Sequence, residues 1–487
     1  MVNLINLLNQ SFPAIVLVYI INALLVLSII FIERKTPTAT LAWIMVITFV
    51  PIVGFIIYLV FNQNLARSKI NKRTEKEEFI TSNAMNKQRS AMKEGNFNYR
   101  SSVAEKWKHM ITLNQVYGDA YLTEDNDIRL ITDGNEKMNM LLKDIKKAQK
   151  SINVEYFIIK RDSAGKQFID ELTKKAKEGV EVRLLVDALG SRYIGRRFLK
   201  DYLTAGGKVG YFFKPKFIFF GIRFNYRNHR KIVVIDNEIA YTGGFNVAKE
   251  YLGQKRKFGY WRDTHIRIEG EAVYDLNSRF ILDWRYTTKE KIESIPVEQN
   301  QNPEGNKSVQ IVSCGPEAPK EEVKRAFMRM ITSAKKNVYL QTPYFIPDPS
   351  ILESLKMASQ SGVDVRIMIP CMPDHIFVYW ATYAYVGELL RSGARAFIYD
   401  NGFLHSKTMV VDGEVSTIGS ANFDNRSFRL NFETNAFIYD QRFAQKMEDV
   451  FIEDMQYCHE LTLKDYESRS VIIRFKEAIS RLLSDIL

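Results

Sequence analysis

The sequence predicts an α/β protein of two similar lobes with one active site between them, preceded by a transmembrane helical hairpin. Three observations predict it. A His-x-Lys pattern with a following Asp occurs twice, 176 residues apart, at His229/Lys231/Asp236 and His405/Lys407/Asp412. A unit of helix, glycine stop and β-branched strand also recurs, once at Gly179 with Val180–Val186 and once at Gly362 with Val363–Ile369. Finally, the N-terminus carries two long runs without a charged side chain.

Those runs come first along the chain. Phe12–Ile32 and Ala39–Phe61 are each long enough to span about 30 Å of hydrocarbon, with Glu33-Arg34-Lys35 and a Pro37-containing segment between them. Residues 1–66 are therefore expected to form the hairpin. No basic segment precedes the first run and no small-residue cleavage site follows it, which argues against a cleaved signal. Arg67, Lys69, Lys72 and Arg73 outnumber Arg34 and Lys35, so the remainder of the chain is expected on the cytoplasmic side of a cell membrane.

Residues 67–110 are polar, mixed in charge and weakly periodic, and are expected to be a connector. Strands alternating with helices then give the first lobe over 111–285 and the second over 308–487, with a Gln/Asn/Glu/Pro-rich linker at 286–307. With 487 residues the chain has room for several domains, and its formal charge of +12 suits an anionic partner such as nucleic acid, a phospholipid surface or a phosphorylated small molecule. Three scattered cysteines, Cys314, Cys371 and Cys458, exclude a disulfide framework, and no His/Cys cluster has zinc spacing. No metal and no cofactor are expected.

The repeated pattern carries the chemistry. On a strand, residues i and i+2 share a face, so His229 points with Lys231 and His405 with Lys407. The Asp lies seven positions beyond each His and has the opposite parity. Asp236-Asn237 and Asp412-Gly413 instead look like hairpin turns, which gives those aspartates a structural role. Two imidazoles suffice to break a phosphodiester, one attacking and one donating to the leaving oxygen, while lysines and amides hold the nonbridging oxygens. Each pattern is followed by a small-residue turn and an asparagine, Gly243-Gly244-Phe245-Asn246 and Gly419-Ser420-Ala421-Asn422, so Asn246, Ser420 and Asn422 are candidate phosphate contacts. Asp263 and Glu433, farther downstream, are candidates to fix the histidine tautomers.

These residues resemble the phospholipase D superfamily, whose paired HxKxxxxD motifs form one site between two lobes, and within it the bacterial cardiolipin synthases. The resemblance covers nearly the whole chain: Thr38-Ala39-Thr40-Leu41-Ala42-Trp43, Asn225-Tyr226-Arg227-Asn228-His229-Arg230-Lys231 and Gly402-Phe403-Leu404-His405-Ser406-Lys407 carry it. It implies reversible phosphatidyl transfer between two phosphatidylglycerols, giving cardiolipin and glycerol through a phosphatidyl-histidine, with both lipids as membrane partners. It also implies that His229 is the nucleophile and His405 the acid and then the base. It counts Asp236 and Asp412 with the catalytic set, where strand parity makes them structural. The internal symmetry leaves the two histidine roles reversible. Gly244 stands where the second half has Ser420, so the two sets of phosphate contacts need not match.

A hydrolytic phosphodiesterase of the same superfamily, acting on lipid or nucleic acid, is the competing reading, and a silent scaffold a third. The hairpin favours lipid and leaves no nucleic-acid partner expected; a homo-oligomer stays open. Two further features have alternative readings. Basic and aromatic residues alternate from Phe212 to Arg230, either as a rim resting in lipid headgroups or as an ordinary strand and loop. Ile472, Phe475, Ile479, Leu482 and Ile486 form a helical stripe, expected to pack on its own domain or, alternatively, to lie at a membrane interface. His265 is expected in a supporting role and His375 at the site entrance.

Overall fold

In the computed structural model each His-x-Lys pattern runs into a four-residue strand, Ile232–Ile235 or Thr408–Val411, of β-branched and other apolar residues buried on both faces. Each strand then turns on two residues of positive φ, Asp236 (54°) and Asn237 (60°) or Asp412 (57°) and Gly413 (64°). A two-residue type I′ hairpin requires that conformation, and Asn, Asp and Gly tolerate it best. The structure describes residues 16–17, 19–28, 30, 37–50, 53–55, 58, 73–214, 226–292, 305–317, 320–482 and 484.

The chain divides into two compact units, residues 1–65 with 215–225, and the remainder. In the first unit the described positions from 16 to 30 are helical, as is α1 (Pro37–Phe49). Asn22 Nδ2 donates to Ile47 O at 2.8 Å and ties the two segments together. Leu17, Ile20, Leu24, Leu41, Met45 and Phe49 are exposed. No helix among the described residues is long and apolar enough to cross a membrane. Parts of both expected spans, the flanking Arg34, Lys35, Arg67, Lys69 and Lys72, and residues 215–225 of the basic aromatic stretch Phe212 to Arg230 lie outside the described residues.

The second unit is organised by one 16-stranded sheet, fifteen strands in a continuous order and the two-residue strand Arg227–Asn228 paired off it with Asn431–Phe432. The first lobe contributes β1 (Thr123–Ile131), β2 (Ser151–Tyr156), β3 (Glu181–Asp187), β4 (Lys208–Phe212), β5 (Ile232–Ile235), β6 (Ile239–Gly243) and β7 (His265–Gly270). The second contributes β8 (Lys307–Cys314), β9 (Asn337–Gln341), β10 (Asp364–Pro370), β11 (Arg395–Tyr399), β12 (Thr408–Val411), β13 (Val415–Gly419), β14 (Asn431–Tyr439) and β15 (Cys458–Leu461). The order β4-β3-β2-β5-β6-β7-β1, then β8-β14-β13-β12-β9-β10-β11-β15, reads as one pattern and its mirror sequence about the antiparallel β1–β8 junction. The sheet is thus continuous across the lobes.

Helices cover both faces: α2 (Glu75–Glu94), α3 (Gly134–Lys147), α4 (Ser163–Lys177), α5 (Ala272–Thr288), α6 (Glu322–Ser333), α7 (Pro349–Gln360), α8 (Ile376–Arg391), α9 (Gln441–Met455) and α10 (Val471–Leu482). Asp162 and Asp348 cap equivalent helices, α4 and α7. Both helices stop at a glycine of positive φ, Gly179 (89°) and Gly362 (91°), whose successor donates back to the last turn.

Two expectations need correction. Within the connector expected over 67–110, described from residue 73, the chain is not free: Thr74 and Glu77 form a capping box that starts α2, and Val103, Ala104, Trp107 and Met110 are buried in the second lobe's core. These apolar residues are too sparse to show periodicity but large enough to seal that core. The apolar stripe of α10 does not pack inward either. Val471, Ile472, Phe475 and Leu482 are exposed, while Glu477 and Ser480 face the protein. Glu477 is turned inward by Arg469, whose guanidinium it meets at 2.7 Å.

Candidate active site

Each histidine is placed by the opposite half of the chain. Arg227–Asn228 pairs in parallel with Asn431–Phe432, and His229 N donates to Phe432 O at 2.9 Å. Phe403–Leu404 pairs in parallel with Trp261–Arg262, and His405 N donates to Arg262 O at 2.7 Å. That register sets His229 beside Glu433 and His405 beside Asp263. The contacts follow: His229 Nδ1 lies 3.2 Å from Glu433 Oε1, and His405 Nδ1 lies 2.6 Å from Asp263 Oδ2. Each acid serves the other half's histidine, and each leaves the Nε2 edge for a ligand.

Both imidazoles and both lysine ammoniums line one cavity of about 550 Å³, with Asn246, Asn422, His375, Tyr251, Trp261 and Tyr344 around them. The histidine side chains keep 18 % and 14 % of their surface exposed. Lys231 Nζ donates to His229 O at 2.6 Å and Lys407 Nζ to His405 O at 2.5 Å, so each lysine folds back on its own motif and still faces the cavity. Phe157 packs at a tilt of 52° against the His229 ring, centroids 4.1 Å apart, and Trp261 at the same tilt against that of His405, centroids 5.2 Å apart.

Burial governs the electrostatics. It pulls His229 below its usual value, against the pull of Glu433. Burial, assisted by Lys407, draws His405 down to about 4, against Asp263. The lysines fall for the same reason, Lys231 to about 8 and Lys407 to about 7. Burial would raise Glu433, but His229 and Lys231 outweigh it and hold the carboxyl below the usual range. Burial and the neighbouring lysines therefore favour neutral imidazoles. An anionic ligand would raise the proton affinity of all four groups.

Asp236 and Asp412, counted with the catalytic set by resemblance, do not line the cavity. Asp236 accepts backbone N–H bonds from Gln149, Lys150 and Ser151 at 2.7–2.8 Å, and Asp412 accepts them from Lys335, Lys336 and Asn337 at 2.7–3.1 Å. They fasten the hairpin to the start of the neighbouring strand, β2 or β9. Ser420 is also absent from the cavity wall. Its Oγ accepts from Thr434 N at 3.0 Å and supports Glu433. Its counterpart must be glycine, because a Cβ on Gly244 would lie 1.9 Å from Asp263 Oδ1.

The two asparagines are not equivalent. Asn246 accepts from Ile158 N at 3.1 Å and donates to Tyr251 OH at 3.0 Å. Asn422 keeps a buried amide oxygen with no partner among the described residues. His265 is wholly buried behind the site, its ring nitrogens without a partner among the described residues, and burial with the Lys137 charge keeps it neutral.

Sequence reasoning missed the two residues inside the His-x-Lys patterns. Arg230 is fully buried, meets Asp283 at 2.6 Å and donates to Cys314 O and Glu433 O, so it bolts the lobes together under His229. Ser406 Oγ lies 2.7 Å from Thr264 Oγ1 on the other side. The only signal was the difference in residue type between otherwise matching motifs.

Comparison with known proteins gives the same frame. The family model described as cardiolipin synthase, PLD-like domain, matches residues 141–284 and 327–455, and that described as Phospholipase_D-nuclease N-terminal matches 20–62. A cardiolipin synthase of Listeria welshimeri is 47 % identical over 97 % of this chain and 99 % of its own length. The major cardiolipin synthase of Bacillus subtilis is 46 % identical over 97 % of this chain and 98 % of its own. The chain belongs to the cardiolipin synthase family of phospholipase D-like proteins. Among solved structures, a phosphatidylserine synthase of Haemophilus influenzae superposes with a TM-score of 0.59 at 15 % identity, over 78 % of this chain and 99 % of its own. That likeness is one of fold, and it spans both lobes that the family model matches.

Proposed function

We propose that this chain is a cardiolipin synthase that moves a phosphatidyl group from one phosphatidylglycerol to another. The observation that carries the reading is the pair of carboxylate-oriented histidines facing one cavity between two lysines, in a chain that matches the family nearly end to end.

In the first step His229 Nε2 attacks phosphorus, the P–O bond to the glycerol headgroup breaks, and the His405 imidazolium gives its proton to the departing oxygen. The products are a phosphatidyl-histidine, glycerol and neutral His405. In the second step His405 takes the proton of a headgroup hydroxyl on a second phosphatidylglycerol, its oxygen attacks phosphorus, and the P–N bond breaks to free His229. One P–O bond is broken and one made, so no external energy source is required and the reaction is reversible. Lys231, Lys407 and Asn422 hold the nonbridging oxygens through the trigonal-bipyramidal states. Negative charge on the bound phosphate offsets the burial that keeps His405 neutral, and so lets it act as an imidazolium.

The N-terminal unit, read as a bilayer-spanning hairpin with the lobes on the cytoplasmic side, keeps the site supplied with lipid. The exposed stripe of α10 supports an interfacial contact, as do exposed Ile376 and Phe377 beside the cavity-lining His375 and Val378. The test is incubation of the purified chain with phosphatidylglycerol in detergent. Cardiolipin and glycerol in equal amounts are expected, whereas phosphatidic acid as the lipid product would make the protein a hydrolase.

A further inference from the structure

The reaction centre is nearly symmetric, but its surroundings are not. A second cavity of about 370 Å³ shares Lys160, Glu250 and Lys255 with the reaction chamber and adds Arg161, Asp162, Tyr193 and Lys249. It is a branch of the chamber walled by four cations and two carboxylates. Glu250 is buried and holds Lys160 at 2.6 Å and Lys255 at 3.2 Å. Asp162 is committed to backbone, accepting from Gly165 N at 3.0 Å and Lys249 N at 2.9 Å. The branch is therefore pinned in shape and positive in net charge.

The second lobe does not repeat these residues. Counting back from the equivalent caps Asp162 and Asp348, Lys160 and Arg161 become Ile346 and Pro347. Counting on from Asn246 and Asn422, Lys249 becomes Asn425 and Glu250 becomes Arg426, while Lys255 falls in a stretch that is longer in the first lobe, where 17 residues separate Asn246 from Asp263 against 11 between Asn422 and Glu433. The branch opens beside Tyr251, whose ring lies 6.4 Å from that of His405, and His405 is the acid and base of the proposed cycle. An acceptor hydroxyl activated there belongs to a lipid whose own phosphodiester lies one glycerol unit away.

We infer that the Lys160–Glu250–Lys255 branch is the subsite for the phosphodiester of the acceptor phospholipid, and so selects an anionic lipid alcohol over water or free glycerol as acceptor. The inference rests on the proposed function and adds to it a residue-level basis for transfer over hydrolysis. A phosphate here meets two ammonium groups already ordered by Glu250, which lowers the entropy cost of binding.

The test compares two reactions of the full chain in detergent with phosphatidylglycerol: cardiolipin formation, and exchange of labelled glycerol into phosphatidylglycerol, whose acceptor has no phosphate. In Lys160→Gln/Lys255→Gln, cardiolipin formation is expected to fall at least ten-fold more than exchange, with a raised KM for acceptor lipid. The single Lys255→Gln, at a side chain 40 % exposed, should show the same bias at a smaller factor, and Lys255→Arg should restore the ratio. Loss of both reactions by one factor, as from weakened lipid-surface binding or misfolding, overturns the inference, as does no change in the ratio for the single variant. Absence of cardiolipin with the unaltered protein would instead refute the function itself.

Discussion

Replacing Asp263 with Asn removes a carboxylate 2.6 Å from His405 Nδ1 and alters no other chain atom. A hydrogen bond to a charged group contributes about 1.5–3 kcal/mol, or about 10- to 150-fold in rate at 1.36 kcal/mol per decade. The loss should reach that range because Asp263 is fully buried and no second acceptor stands at His405 Nδ1 among the described residues. The direction with pH is also set. Asp263 raises the proton affinity of His405 against burial and Lys407, so its removal lowers that affinity further. The alkaline limb of kcat/KM, which needs the imidazolium, should move to lower pH. Because His405 acts in both half-reactions, glycerol release and cardiolipin formation should both slow. Quenched-flow measurement of the two products across pH checks this. Gly244→Ala should reproduce the defect, since its Cβ would fall 1.9 Å from the same carboxylate. Activity within two-fold of the parent, or an unmoved alkaline limb, would refute the crossed-pair account.

Burial places Lys407 at about 7 and Lys231 at about 8, so the KM for phosphatidylglycerol should climb as pH rises from 7 to 9 and the ammonium charges are lost; a flat KM would contradict the phosphate-holding role. Arg230→Ala leaves Asp283 buried and without that partner and should cost about 3–5 kcal/mol of stability, read as a lower thermal midpoint in detergent; Arg230→Ala/Asp283→Ala should lose less than the sum of the two singles. Asp236→Asn and Asp412→Asn should each lower stability by about 1–3 kcal/mol and leave kcat nearly intact at low temperature, and abolished turnover in a folded variant would return them to the catalytic set. Phe475→Ser with Leu482→Ser should depress activity on vesicles more than on detergent-dispersed lipid; equal loss would place α10 in stability alone.

Much of the site was legible because its chemistry is local in sequence. Two residues on one strand face must point together, so His229 with Lys231 and His405 with Lys407 could be read directly, and the same parity excluded Asp236 and Asp412. Asp263 and Glu433 could be named as orienting acids. What could not be read was that they cross over, because the exchange depends on two-residue parallel pairings between segments about 140 and 200 residues apart. Ser420 was misassigned because its hydroxyl is polar and adjacent to the site in sequence, yet the fold spends it on Thr434 and Glu433. The α10 stripe had the right period, but period alone does not say which side of a helix meets protein. Trp107 and Met110 sat in a stretch too polar to suggest that a few large side chains complete a distant lobe.

The central claim is that one histidine carries the phosphatidyl group between two lipids. The direct measurement is an acid quench during turnover of phosphatidylglycerol labelled in its acyl chains, followed by peptide mapping and a chase with unlabelled lipid. The account predicts label on His229 that passes into cardiolipin during the chase, and none in His229→Ala. Cardiolipin formed without protein-bound label, or label on a residue other than the two histidines, would contradict it.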